Sequence, residues 1–403
     1  MMTSRCCRIA ALGMVSTLGS GHEKTLERLF SDQPPKLVKE LKLSNEQVPY
    51  VGRVTAPLVK IPDQWSHYEC LNNSLALTAY LQIEAQVQDC IKQFGAFRVG
   101  VVLGTSTSGI ASTENGLRIY RQTGFFPKEY DYTQHEMNSV SDFVAAYAGI
   151  TGPVYTISTA CSSSSKVFAS GQSLLEMGLC DAVVVGGADS LCEITLNGFS
   201  SLDLLSDEIS NPMSKNRKGL NIGEGAGLFV LEKKEGGVQL LGVGESSDAH
   251  HMSAPDPKGH GAFLAISNAL KKANLTPEAI RYVNLHGTGT RLNDEIEARA
   301  MHKVFAKLPP CSSTKPLTGH CLGASGAIEA GICWLMLSKF NKTKGEIPLP
   351  PHWWDGEIDE AFPALPLMAR GQSFSAEGNA VLMSSSFAFG GNNVVLIMGC
   401  DHD

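Results

Sequence analysis

The sequence is poor in charge: Asp, Glu, Lys and Arg make up 18% of its 403 residues. The net charge is −7, and no block of lysines and arginines stands out. Binders of nucleic acid or of anionic membranes need such a block, so both classes are disfavoured. No apolar run approaches the roughly 20 residues of a membrane span. Near the N-terminus, Arg5 and Arg8 precede an apolar run over 9–15 that Gly13 interrupts. That run is too short and too broken for a signal peptide. It reads instead as a first strand starting near Cys6, and the protein is expected in the cytoplasm. The 11 cysteines include no C-x-x-C pair, which argues against a zinc site or a dithiol. Most are expected to be small buried hydrophobes in a reducing compartment. Low-complexity linkers and repeat arrays are also missing.

What is there is apolar: 43% of residues are hydrophobic, and 40 are glycine. That is enough to fill a large core, and a chain of this length usually divides into two domains or halves. Short β-rich runs occur at 99–103, 154–157, 182–185 and 227–231, and again at 240–243, 282–285, 381–385 and 393–398. Their near-continuous Val/Ile/Leu content predicts strands buried on both faces, in sheets covered by helices. Helices are predicted over 75–94, 163–177, 262–273, 294–306 and 325–337. Thr276-Pro-Glu-Ala reads as a further helix start, while 53–73 is irregular. The expected class is α/β. The charged stretch 232–237 is the candidate boundary, dividing 1–235 from 236–403. Just after it, Leu240-Leu-Gly-Val-Gly echoes Ile9-Ala-Ala-Leu-Gly, a hint of internal duplication.

Four segments carry chemistry. In Ser158-Thr-Ala-Cys161-Ser-Ser-Ser-Ser, a buried strand ends and an Ala/Ser/Leu helix begins. A cysteine there meets the positive end of a helix, which favours thiolate and is expected to lower its pKa. The bland alternative is a structural cysteine beside capping serines. His286-Gly-Thr-Gly-Thr290 puts a histidine at a strand end, in a loop where glycines admit a ligand and Thr288 and Thr290 offer hydroxyls. Lys315-Pro-Leu-Thr-Gly-His320, followed by a small-residue helix with Glu329, sets Lys and His across a turn. A Lys315–Glu329 pair would form if the helix folds back; it could equally be an ordinary structural ion pair. Phe387-Ala-Phe389-Gly-Gly-Asn-Asn393 gives a turn whose N–H groups could face a ligand, or a simple hairpin.

Together these segments resemble the β-ketoacyl synthase family, in its branch with a Cys-His-His active site. The resemblance runs from Ala10-Ala-Leu-Gly-Met-Val-Ser to Asn393. It includes the Lys315, His320, Glu329 spacing, Asp294 eight residues past His286, and Asn211-Pro-Met-Ser-Lys-Asn-Arg217 with Gly223-Glu-Gly-Ala-Gly. It implies a thiolase-like fold: two duplicated α/β halves in a five-layered αβαβα core, paired as a homodimer or with a sister ketosynthase-like subunit. The implied reaction is decarboxylative Claisen condensation of an enzyme-bound acyl thioester with malonyl-acyl-carrier protein, giving 3-oxoacyl-acyl-carrier protein. The pathway would be fatty-acid or discrete polyketide or aryl-polyene-type synthesis; the Thr159-Ala-Cys and His286-Gly-Thr segments look more polyketide-like.

By the same resemblance Cys161 is the nucleophile, and the N–H groups of Cys161 and Phe389 form the oxyanion hole. His286 and His320 hydrogen-bond the malonyl thioester, and Lys315 with Glu329 sets the electrostatics. Thr288, Thr290 and Phe389 contact the substrate, and Thr107 lines the acyl pocket, where a small residue would admit a longer chain. No metal or dissolved cofactor is implied, because phosphopantetheine arrives on the carrier. The family's basic docking helix is missing: 65–74 holds no Lys or Arg, and Asn211 stands where an Arg is common. Lys215, Arg217 and Lys218 remain for carrier docking, with Arg53 and Lys60 near. The alternative from another class is a non-catalytic, chain-length-shaping partner subunit; such subunits typically lack the cysteine. A Cys–His hydrolase lacks an orienting Asp or Asn and leaves the second histidine unexplained.

Overall fold

The computed structural model describes residues 6–39, 42–340, 346–375 and 380–400; Arg5 lies outside them. The core strands are β1 (Arg8–Ser16), β2 (Val99–Gly104), β3 (Val154–Ile157), β4 (Ala182–Asp189), β5 (Gly225–Glu232), β6 (Val238–Ser247), β7 (Tyr282–Asn284), β8 (Cys311–Ser312), β9 (Ala380–Phe387) and β10 (Asn392–Cys400). The helices that cover them are α1 (Leu71–Tyr80), α2 (Glu84–Phe94), α3 (Ser139–Ala148), α4 (Ser163–Glu176), α5 (His260–Ala273), α6 (Arg291–Val304) and α7 (Ser325–Leu335).

The strands run in the order β3-β2-β4-β5-β1 and then β6-β10-β9-β7-β8. The two fives join at one residue pair, Arg8 with Gln239. Each five has the same wiring. Its first strand in sequence lies at the junction and pairs antiparallel with its last strand, its last two strands pair antiparallel, and the other two pairs are parallel. β1 and β6, which contain the two echoing segments, therefore hold equivalent places. The duplication hinted at in ten residues is present in the topology.

Every residue of β2, β4, β5 and β9 is buried. Side chains leave a strand on alternate sides, so such runs need cover on both faces. On one outer face Leu75, Tyr80 and Phe143 of α1 and α3 pack on Val101 and Val184. Between the sheets Phe168 of α4 and Ile328 of α7 pack on Val185, Phe229 and Leu382. On the far face Ile266 and Met301 of α5 and α6 meet Val283 and Ile397. The layers are α, β, α, β, α.

Two predicted helices differ. The stretch 75–94 is two helices, α1 and α2, with a turn at 81–83. Gln82 in that turn is tied to the backbone of β1, accepting from Met14 N at 3.1 Å and donating to Met14 O at 3.1 Å. This tertiary clamp leaves no mark in the local pattern. Thr276-Pro-Glu-Ala starts only a single turn, Pro277–Ala279.

The central helices meet at a glycine. A Cβ on Gly326 would lie 1.9 Å from Ser165 Oγ, which itself pairs with Ser386 Oγ at 2.8 Å. Gly331, one turn on, would give only ordinary contact with Leu12 at 3.4 Å. Gly326→Ala is therefore expected to lose about 1–3 kcal/mol by overpacking. Gly331→Ala is expected to gain about 0.5–1 kcal/mol from helix propensity. Urea denaturation of the two variants checks the opposite signs.

Candidate active site

Cys161 sits between β3 and α4. Ala160 before it has φ 50°, a left-handed conformation that costs an L-residue roughly 1–2 kcal/mol. Ser163 holds the turn: its hydroxyl donates to Ala160 O at 2.6 Å and accepts from Thr159 N at 2.9 Å. The thiol is thereby set at the N-terminal end of a central helix, 5% exposed.

His320 Nε2 lies 3.0 Å from Cys161 Sγ, and its Nδ1 lies 2.8 Å from Ser325 Oγ. His286, beyond the end of β7, stands with its ring 5.4 Å from that of His320 and nearly perpendicular, at 85°. Lys315 Nζ donates to His286 O at 2.6 Å, lies 3.4 Å from His286 Nδ1, and is ion-paired with Glu329. All of these groups are buried. Lysine has only donors, so His286 Nδ1 is the acceptor and the ring proton is on Nε2. When the thiol S–H donates to His320 Nε2, Nδ1–H donates to Ser325.

Burial decides the electrostatics. It holds His286 and His320 well below 6.5, with Lys315 adding to the effect on both, so both rings are neutral. It pushes Glu329 up to about 7, with Lys315 pulling it back. It also pushes the Cys161 thiol up to about 12. Lys315 and the backbone N–H groups of Phe389 and Cys161 pull the other way, and Asp189 adds to the rise. The expected lowering of this pKa is thus corrected, because loss of hydration outweighs the favourable helix end. The resting group is a thiol, and the neutral His320 ring is the acceptor within reach of its proton, at 3.0 Å. Alkylation of Cys161 by iodoacetamide should therefore accelerate about tenfold per pH unit between roughly pH 7 and 9, as expected for a small thiolate fraction. A plateau below that range would show a lowered pKa instead.

The cysteine, both histidines and Phe389 line one cavity of about 450 Å3. Thr288 and Thr290 line it too, their hydroxyls 2.9 Å apart. Its floor is buried, and its mouth is formed by exposed Lys218, Arg291 and Leu292. Phe389 stacks on Phe199, centroids 5.4 Å apart.

Of the other expected residues, Arg217 and Lys218 line this cavity, while Thr107, Lys215, Arg53 and Lys60 do not. Thr107 is fully buried and is absent from the lining of this cavity; its N–H and hydroxyl both donate to Asp189 at 2.7 Å. Arg217 is 5% exposed and is held by Asp359 at 2.5 Å and by Ser214 O at 2.8 Å. Its charge is spent inside the fold, which corrects its assignment to a docking surface. Lys215 and Lys218 are exposed but pair with Glu357 and Glu208. Arg53 lies 3.5 Å from Glu224, and Lys60 lies 3.6 Å from Asp63.

Several supports were given no role from the sequence, Asp294 having been noted only as part of the resemblance. Glu297 accepts from the N–H groups of His286 and Gly287, both at 2.7 Å, and Asp294 accepts from Met213 N and Gly289 N. The two acids stand i, i+3 on the first turns of α6, a spacing that could have shown them sharing one face. Asp189 accepts from Thr105, Ser106, Thr107 and Ala324, fixing the 105–107 loop to the start of α7. Its one sequence signal is an acid ending a wholly apolar strand. Ser325 and Phe199 carried no signal. Among the described residues, no group of three or more His, Cys, Asp or Glu is placed to hold a metal ion. Nor is any helix there long and apolar enough to cross a membrane.

The chain matches the N-terminal domain of β-ketoacyl synthase over residues 84–236 and the C-terminal domain over 238–341. Nodulation protein E of Rhizobium meliloti is 31% identical, covering 96% of this chain and 98% of its own. 3-Oxoacyl-[acyl-carrier-protein] synthase 2 of Vibrio cholerae is 29% identical, covering 98% and 99%. A solved ketosynthase in complex with its chain length factor, from Xenorhabdus doucetiae, is similar with a TM-score of 0.91 at 44% identity, over 98% of both chains. The shared wiring of its halves, the cysteine–histidine cavity and these likenesses lead to one conclusion: the chain belongs to the β-ketoacyl synthase family.

Proposed function

We propose that this chain joins an acyl group held on Cys161 to a malonyl unit on a carrier protein. The half 1–235 supplies the nucleophile, and 236–403 supplies His286, His320 and Lys315. Cys161 gives its proton to His320 and attacks the carrier thioester. The oxyanion of the tetrahedral intermediate is held by the N–H groups of Cys161 and Phe389. His320 returns the proton to the departing carrier sulfur, the carrier leaves as a thiol, and the neutral ring takes its proton on Nε2 as Ser325 Oγ turns to donate to Nδ1. Malonyl-carrier protein then enters, and its thioester oxygen accepts from His286 Nε2 and from His320 Nε2, now the donor. Loss of CO2 leaves an enolate held by these bonds. Its carbon attacks the acyl-Cys161 carbonyl, the Cys161 sulfur leaves as thiolate and takes up a proton from water, and 3-oxoacyl-carrier protein is released.

The observation that supports this most directly is the 3.0 Å contact of a neutral His320 with the Cys161 thiol. Behind it, the Lys315 ammonium fixes the tautomer of His286. Thr288 and Thr290 would contact the pantetheine arm, which belongs to the carrier; no metal or free cofactor enters the scheme. A dimer with a second copy or a sister subunit, in the cytoplasm, belongs to the same proposal. A subunit that only shaped chain length would have no use for the Cys161–His320 contact.

Intact-mass analysis tests the proposal. Wild type incubated with acyl-carrier proteins should gain the acyl mass, Cys161→Ala should not, and malonyl-carrier protein should then release extended product. A folded protein that takes no acyl group from any donor would overturn it.

A further inference from the structure

Asp189 ends β4 and is fully buried. Burial pushes its carboxyl up to about 6 and hydrogen bonds pull it back, so it is ionised at neutral pH. A charge taken out of water in this way must be surrounded by donors. Oδ1 accepts from Thr105 Oγ1 at 2.8 Å and from the N–H and hydroxyl of Thr107, both at 2.7 Å. Oδ2 accepts from Ala324 N at 2.9 Å, and Ser106 N donates to both oxygens, at 2.8 and 3.1 Å. Thr105, Ser106 and Thr107 belong to the half that carries Cys161, and Ala324 to the half that carries His320.

Both sides lead to the reacting groups. Ser106 donates from its hydroxyl to Ala160 O at 3.1 Å, and Ser163 Oγ holds the same carbonyl at 2.6 Å. A trans peptide points its N–H opposite to its carbonyl, so fixing Ala160 O aims the Cys161 N–H. On the other side Ala324 precedes Ser325, whose Oγ lies 2.8 Å from His320 Nδ1. The backbone is left-handed in both segments, with φ 50° at Ala160 and 46° at Leu322. Strain of this kind persists only where the surroundings impose it. At Gly323 a Cβ would come within 2.6 Å of Asp189 Oδ2 and 2.7 Å of Ser106 Oγ. A side chain there would hold the two segments apart.

We propose that Asp189 is a positioning residue for the condensing reaction, clamping the Cys161 turn to the start of α7 and so setting the Cys161–His320 contact from both sides. It acts through two arms, Ser106 on the nucleophile and Ser325 on the histidine. The clamp works against the thiolate, because the negative charge of Asp189 adds to the rise that Lys315 opposes. Geometry is gained at the expense of resting reactivity. The inference rests on the condensing reaction proposed above and adds a residue to its machinery.

Asp189→Asn tests this, since it keeps the shape but replaces one acceptor oxygen with an NH2 group facing N–H donors. Acylation of Cys161 from an acyl N-acetylcysteamine thioester, read by intact mass, should lose roughly 10- to 100-fold in kcat with KM little changed. Alkylation of Cys161 by iodoacetamide should move the other way. Its pH profile should keep the wild-type slope and be displaced to lower pH, because a charge opposing thiolate is gone. Cys321 and Cys333, both buried, should stay unmodified in peptide maps. Equal kcat in wild type and Asp189→Asn overturns the assignment. So does a loss of kcat with an unshifted profile, or one in which Cys321 and Cys333 are alkylated too. Ser106→Ala and Ser325→Ala guard against a variant that does not fold, since each cuts one arm and leaves the carboxylate in place. Each should lower kcat roughly three- to tenfold, the loss of one hydrogen bond. A normal kcat in both overturns the assignment as well. If wild type takes no acyl group from this thioester or from carrier protein, the condensing reaction itself is refuted instead.

Discussion

Replacing His286 with alanine is expected to leave acyl transfer onto Cys161 close to normal while condensation falls by about 10²–10⁴-fold. The separation follows from geometry. Cys161 Sγ touches His320 at 3.0 Å, whereas His286 is bonded to Lys315 and, through its backbone N–H, to Glu297. Proton removal from the thiol is therefore a task for His320. His286 has one free donor, Nε2–H, because Lys315 occupies the Nδ1 side. A neutral donor fixed in a dry site is worth most when negative charge develops on an oxygen, which happens only as CO2 leaves. Single-turnover acylation by intact mass, beside CO2 release from malonyl-carrier protein, separates the two steps. His320→Ala should slow both. Equal losses of acylation in the two variants would contradict the assignment.

Replacing Lys315 with methionine is expected to cost about 3–5 kcal/mol of stability and nearly all condensation activity. The variant leaves Glu329 buried without its cation. One of its oxygens, Oε2, already has no hydrogen-bond partner among the described residues. Burial alone raises the pKa of this carboxyl, and the loss of Lys315 removes what opposes the rise. The sign of the pH effect follows. A carboxyl whose folded pKa lies above its unfolded value stabilises the fold when protonated and loses that stability as pH rises. Wild-type Glu329 ionises above about 7 while the variant's keeps its proton, so the difference in Tm between wild type and variant should widen above about pH 7. Lys315→Met with Glu329→Leu removes both charges and should recover most of the stability. It should recover no activity, because nothing then fixes the proton of His286 on Nε2. Scanning calorimetry across that pH range and condensation assays of both variants decide the matter.

The class of fold was legible from local features, and so were residues that the fold brings together in the candidate site. The all-apolar runs at 99–103, 182–185 and 227–231 forecast sheets covered on both sides, and β2, β4 and β5 are fully buried. Cys161 read as a residue at a strand–helix junction, and His286 as one at a strand end, because both positions carry composition that changes sharply within a few residues. Local features could not give the break between α1 and α2, since Gln82 makes that turn by reaching a strand 68 residues earlier. Nor could they show that Thr107 turns inward to Asp189 or that Arg217 is committed to Asp359. Each depends on which distant group lies opposite.

The sequence by itself determined the chemical parts: a thiol, two imidazoles, an ammonium and a carboxylate, each at the end of an element that could present it. Tertiary structure alone decided their protonation. A pKa depends on hydration and on nearby charge, and neither exists until α4 and α7 close between the two sheets. That closure removes water from Cys161, and it opposes the helix-end effect that the sequence alone suggested. The same closure makes His286 and His320 neutral and turns a lysine and a glutamate 14 residues apart into a buried pair.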